Sequence, residues 1–284
     1  MRNTTRLLML AAAGFFSFMQ IAARADEQLD RGRYLVNSIV ACGNCHTPKG
    51  PDGKPNGPEL SGGEAINSPV FSAYPANITP DPETGIGKWT DAQIIDAIRN
   101  GRRPDGTIIG PPMAIAFYRE MSDTDVKAIV AYLRQVKPVS HKIAKSTYKI
   151  PLPPSYGPEV KSVPDTPRSD KVAYGHYLAN GLGHCMDCHT PLVRGRNDMS
   201  RVGAGGNTFG APGGGVLTSP NLTPANKNGV AGWTDAQVKT AITKGVRPDG
   251  GAIVPLMAFA WYKDISPDDQ DALVAYIRSL KPAE

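Results

Sequence analysis

The chain has 284 residues, a formal net charge of +5, 40% hydrophobic residues and four cysteines. That length holds two domains of ordinary size, and so small a positive charge does not suit nucleic-acid binding. With this apolar content the fold needs no framework of disulfide staples.

At the N-terminus, Arg2 and Arg6 precede an apolar run from Leu7 to Phe18, and Ala23-Arg24-Ala25 gives the small-x-small pattern of a cleavage site. The pattern predicts an export leader over 1–25, cut after Ala25. Without Arg2, Arg6 and Arg24 the mature chain carries +2 of the +5. No later run reaches the roughly 20 apolar residues of a membrane-spanning helix. No integral membrane segment is therefore expected after the leader.

Next comes Cys42-Gly43-Asn44-Cys45-His46-Thr47-Pro48, and the same frame returns as Cys185-Met186-Asp187-Cys188-His189-Thr190-Pro191. The two motifs hold all four cysteines. A redox dithiol would open a helix after a strand, in a βαβ setting that is absent here. Zinc would need a fourth ligand at each motif. Covalent haem c attachment uses every residue: Cys42 and Cys45, like Cys185 and Cys188, add to the two vinyl groups of one haem. The adjacent His46 or His189 then meets the iron. Bacterial haem attachment takes place outside the cytoplasm, so leader and motif together predict a periplasmic protein.

The flanking sequence repeats as well. Gly32-Arg33-Tyr34-Leu35 matches Gly175-His176-Tyr177-Leu178, Asn77-Ile78-Thr79-Pro80 matches Asn221-Leu222-Thr223-Pro224, and Trp89-Thr90-Asp91 matches Trp233-Thr234-Asp235. A repeat of this length is a whole domain. We expect domain 1 over 26–138 and domain 2 over 168–284. The proline-rich stretch 139–167 between them reads as a stiff connector lying over the domain surfaces. The Gly-rich run from Gly203 to Gly215 is expected to be a surface loop.

Thr90 with Gln93, and Thr234 with Gln237, are capping boxes that start short helices ending near Gly101 and Gly245. Ser122 and Ser266 are placed to cap a final helix in each copy. Those helices carry Ile129, Tyr132, Leu133 and Val136, or Leu273, Tyr276, Ile277 and Leu280, at helical spacing. No alternating run suggests a sheet, so the expected class is all-α.

A second axial ligand should recur in both copies. Among methionines only Met113 and Met257 correspond, each two residues after a proline (Pro111, Pro255) that stiffens its loop. We expect Met113 opposite His46 and Met257 opposite His189. His141, His176 and His184 do not recur and read as surface histidines. Trp89 and Trp233 suit packing or a propionate hydrogen bond, and Arg103 and Arg247 suit a propionate or a solvated turn. Tyr118 and Tyr262 suit pocket or core positions. Lys49, Lys54 and Lys88 are candidate docking charges.

With these motifs the chain resembles the class I cytochromes c in a di-haem tandem form. It is similar to the cytochrome c subunits of periplasmic alcohol and gluconate dehydrogenase complexes. The resemblance runs over residues 30–136 and 170–282. It departs from those subunits in having two haem motifs rather than three, and no membrane anchor. It implies outer-sphere electron transfer from a dehydrogenase to an oxidase or another cytochrome of the respiratory chain, with no catalytic residue. The rival from a different class is a haem enzyme, a di-haem peroxidase or a sulfur-compound dehydrogenase. Such an enzyme needs a labile or unusual axial ligand, and the symmetric methionines weigh against it.

Overall fold

A computed structural model describes residues 24–50, 53–210, 215–225, 229–254 and 256–283. The expected leader lies outside the described residues apart from Arg24 and Ala25, which open the first helix. The helices are α1 (24–37), α2 (Gly43–His46), α3 (Asp91–Arg99), α4 (Ile115–Tyr118) and α5 (Asp123–Gln135) in the first repeat. The second repeat has α6 (Lys171–Tyr177), α7 (Cys185–His189), α8 (Asp235–Lys244), α9 (Phe259–Tyr262) and α10 (Pro267–Ser279). A π-helical turn over Leu178–Leu182 continues α6 toward α7.

Local chemistry fixes the helix ends. Thr90 and Thr234 make reciprocal capping boxes with Gln93 and Gln237. The Ser122 and Ser266 hydroxyls accept from the backbone N–H groups of Asp125 and Asp269. Acidic residues in the first turns of α5 and α10 face the positive ends of the helix dipoles. Helix α8 stops at Gly245 with φ 64°, in the left-handed conformation that glycine adopts without strain.

The all-α expectation holds only in part. The described residues also form seven strands of two or three residues in three antiparallel sheets. Strands β1 (Ile66–Ser68), β2 (Phe71–Ala73) and β3 (Thr147–Tyr148) make one sheet, with Phe71 opposite Tyr148. Strands β4 (Leu192–Val193) and β5 (Arg196–Asn197) form a hairpin, as do β6 (Thr208–Gly210) and β7 (Val216–Thr218). None is long enough to display an alternating pattern. Strand β3 belongs to the stretch between the repeats, which lies across the first repeat. There the Tyr148 and Tyr156 hydroxyls donate to the carbonyls of Pro111 and Ile109, at 3.1 and 2.8 Å.

In each repeat the first and last helices cross at a glycine. A Cβ on Gly32 would lie 2.0 Å from the Ala128 carbonyl oxygen, and one on Gly175 would lie 1.9 Å from that of Ala272. Only a residue without a side chain admits this approach. The contact buries Leu35 and Val36 of α1, and Ile39 just beyond it, with Ile129 and Leu133 of α5, and Leu178 with Leu273 and Tyr276. All of these belong to one core cluster that spans both repeats.

The halves are clasped reciprocally. The Tyr34 hydroxyl donates to Asp269 Oδ2 at 2.7 Å and accepts from the Ser266 N–H. Its counterpart Tyr177 donates to Asp125 Oδ2 at 2.7 Å and accepts from the Ser122 N–H. Each repeat thus supplies the phenol that completes the N-terminus of the other's final helix. Hydrogen bonds to a charged partner contribute about 1.5–3 kcal/mol each. The cost of ionising a buried phenol pushes both tyrosines' pKa values up.

Candidate functional site

Each C-x-x-C-H motif closes a single helical turn. The residue before the first cysteine is left-handed in both, Ala41 at φ 51° and His184 at φ 41°. The His46 N–H then donates to the Cys42 carbonyl at 2.9 Å. Three residues of separation put the two thiols of a motif on one face of the turn. The following threonines, both buried, anchor the next loop: Thr47 Oγ1 accepts from the Leu60 N–H and Thr190 Oγ1 from the Gly203 N–H.

The histidines are oriented alike. His46 Nδ1 lies 2.7 Å from the Ala76 carbonyl and His189 Nδ1 lies 2.9 Å from that of Pro220. A carbonyl only accepts, so Nδ1 carries the proton and the Nε2 lone pair is left for a metal. Burial lowers both imidazole pKa values, which favours the neutral, ligating form.

The four cysteines are unpaired. Burial pushes Cys42 and Cys188 up to about 12 and Cys185 to about 11, so these thiols stay protonated. A redox dithiol needs the opposite shift. Zinc fares no better, because among the described residues no group of three or more His, Cys, Asp or Glu side chains could hold a metal ion.

Met113 and Met257 are half-buried against the same core cluster as Cys42 and Cys185. Their carbonyls accept from the N–H groups of Ile115 and Phe259, at the starts of α4 and α9. Tyr118 and Tyr262 are buried, at 6% and 7% exposure, and sit beside the thiols. Burial raises their pKa values first, and the neighbouring cysteines of their own repeats add to this. The protonated unpaired thiols, the imidazole with Nε2 free, the thioether and the buried phenol fit a covalently attached haem.

Several expectations are corrected here. The Gly-rich run is not simply a surface loop, because its first half supports the second site. Gly205 N–H holds the His189 carbonyl at 2.8 Å, and the buried Asn207 donates to the carbonyls of Cys188 and Thr190 at 2.9 and 2.7 Å. Nothing in the repeat comparison pointed to Asn207, which the first copy lacks. His184 is half-buried, with its ring edge-on to Tyr118 at 5.5 Å, whereas His141 and His176 are exposed.

Arg103 and Arg247 donate to the carbonyls of Ile108 and Ala252 in their own turns. Trp89 and Trp233 pack on hydrophobic clusters, and Arg134 and Arg278 hold their carbonyls. Lys88 pairs with Glu83 at 2.6 Å. Lys49 donates to Asn44 and lies over the Trp261 ring.

The family model for cytochrome c matches residues 29–137 and 172–281, one match on each repeat. The chain belongs to the cytochrome c family. Its two tandem cytochrome c domains carry two covalently bound haem c groups. The chain is 34% identical to the cytochrome c subunit of the quinone alcohol dehydrogenase of Gluconobacter oxydans, over 91% of this chain and 56% of that subunit. Identity is also 34% to the fructose dehydrogenase cytochrome subunit of Gluconobacter japonicus, over 91% of this chain and 54% of that subunit. A diheme c-type cytochrome of Cereibacter sphaeroides is 28% identical over 86% of this chain and 83% of its own length. The chain thus spans little more than half of the two dehydrogenase subunits. No helix among the described residues is long and apolar enough to cross a membrane.

Proposed function

We propose that this cytochrome is a periplasmic electron carrier that accepts electrons from a dehydrogenase and passes them toward the respiratory chain. Its domains would be 26–138 and 168–284, joined by the proline-rich connector 139–167. Cys42 and Cys45 hold one haem, with His46 and Met113 as axial ligands. Cys185 and Cys188 hold the other, with His189 and Met257. The observation that carries the reading is the duplicated histidine geometry: in both repeats a backbone carbonyl takes Nδ1 and leaves Nε2 to ligate.

When bound, each haem supplies an iron that gains or loses one electron without a change of ligands. The protein holds that site rigid and dry. The carbonyls of Ala76 and Pro220 fix the imidazole rings, and the post-methionine helices α4 and α9 bring Tyr118 and Tyr262 over the thiols. A protonated phenol there excludes water and stays neutral. Thioether ligation and an apolar surround both disfavour the extra positive charge of the ferric state, so fairly high potentials follow. The names of the dehydrogenase-associated relatives support a dehydrogenase as donor.

The test is spectroscopic. The purified chain should show two haem c groups in the pyridine haemochrome and two low-spin six-coordinate irons. Met113→Ala and Met257→Ala should each convert one haem to high spin. A resting protein with a five-coordinate haem would overturn the carrier reading in favour of a haem enzyme.

A further inference from the structure

The two attachment turns are not finished in the same way. A Cβ on Gly43, inside the first motif, would lie 2.8 Å from Trp261 Nε1 and 3.0 Å from its Cζ2. The indole of the second domain is therefore pressed against the first domain's C-x-x-C-H turn. On the same ring lies Lys49, its Nζ 5.6 Å from the centroid, tethered by a 2.6 Å hydrogen bond to Asn44 within the motif. Trp261 is only 8% exposed and stands in α9, four residues after Met257. The second motif has no such arrangement of residue types. Met186 replaces Gly43 and is fully buried, Leu192 replaces Lys49, and Phe117 stands where the other repeat has Trp261.

We infer that Trp261 is a positioning residue for the other domain's haem-attachment turn and that, with Lys49, it raises the reduction potential of the first haem. The inference rests on the electron-carrier reading above. Two effects act in the same direction. The indole keeps water off the Cys42–His46 turn, and a drier surround disfavours the ferric charge. It also holds an ammonium over the turn by a cation–π contact, and a fixed positive charge there favours the ferrous state. Glycine at 43 is required because any side chain would displace the indole.

The experiment is a potentiometric titration of the purified di-haem chain, with the two midpoints assigned through Met113→Ala and Met257→Ala. Trp261→Leu should lower the first haem's midpoint and leave the second unchanged. Trp261→Phe should restore most of the difference, since it keeps an aromatic face. Lys49→Gln should lower the same midpoint by less, and Lys88→Gln, whose ammonium is paired with Glu83 rather than held on Trp261, should not move it. If Trp261→Leu fails to take up haem, Lys49→Gln still decides the matter. An unchanged first midpoint in Lys49→Gln, or equal shifts of the two haems, would overturn the inference. A haemochrome that did not report two haems in the unaltered chain would instead overturn the carrier reading.

Discussion

Position 184 is histidine where the first repeat has Ala41, and both residues adopt the left-handed conformation that opens the motif. Burial against Tyr118 pushes the His184 pKa down from 6.5 to about 4. The unfolded chain therefore takes up a proton near 6.5 that the folded chain takes up only near 4. The stability this residue allows is complete above the first value and falls as pH drops toward the second, by at most about 3 kcal/mol. His184→Ala, which copies the first repeat, should flatten that fall in urea titrations at stepped pH. Parallel losses in variant and parent would rule His184 out as the source. At this scale the paired C-x-x-C-H motifs and the recurrence of Met113 and Met257 were legible in the sequence, because both are patterns of residue type and spacing that the two copies repeat. The carbonyls of Ala76 and Pro220 were not, since every residue carries that group and only the fold selects one.

Among the elements, the helices were legible and the strands were not. Capping boxes and apolar stripes are local, so Thr90, Ser122, Thr234 and Ser266 marked helix starts directly. The strands consist of two or three residues held by distant neighbours, as when Tyr148 joins Phe71. The crossing of α6 and α10 depends on Gly175, whose added Cβ would meet the Ala272 carbonyl oxygen at 1.9 Å. Gly175→Ala should destabilise the chain by about 2 kcal/mol or more, read as a lower urea midpoint. Helix propensity alone would make the same change stabilising by about 1 kcal/mol, so the sign of the shift decides between crossing and propensity.

For the molecule as a whole, one core cluster and two reciprocal tyrosine clasps join the repeats. We expect a single unfolding transition in calorimetry, with two peaks appearing once Tyr34→Phe and Tyr177→Phe are combined. Two resolved peaks in the parent would refute the coupling. Of the single changes, Tyr34→Phe should cost more. Asp125 keeps a bidentate Arg31 at 2.8 and 2.9 Å, whereas Asp269 Oδ1 has no hydrogen-bond partner and Arg168 stands 4.0 Å away.

The sequence by itself determined the duplication, the helices and the chemistry of each motif, because all three are written in spacing along the chain. Only the tertiary structure decided how the copies differ. Trp261 reaches the first motif from 218 positions further along the chain than Gly43. Such a contact forms because burying the indole is favourable and glycine leaves room for it. Neither residue announces that partnership within its own stretch of sequence.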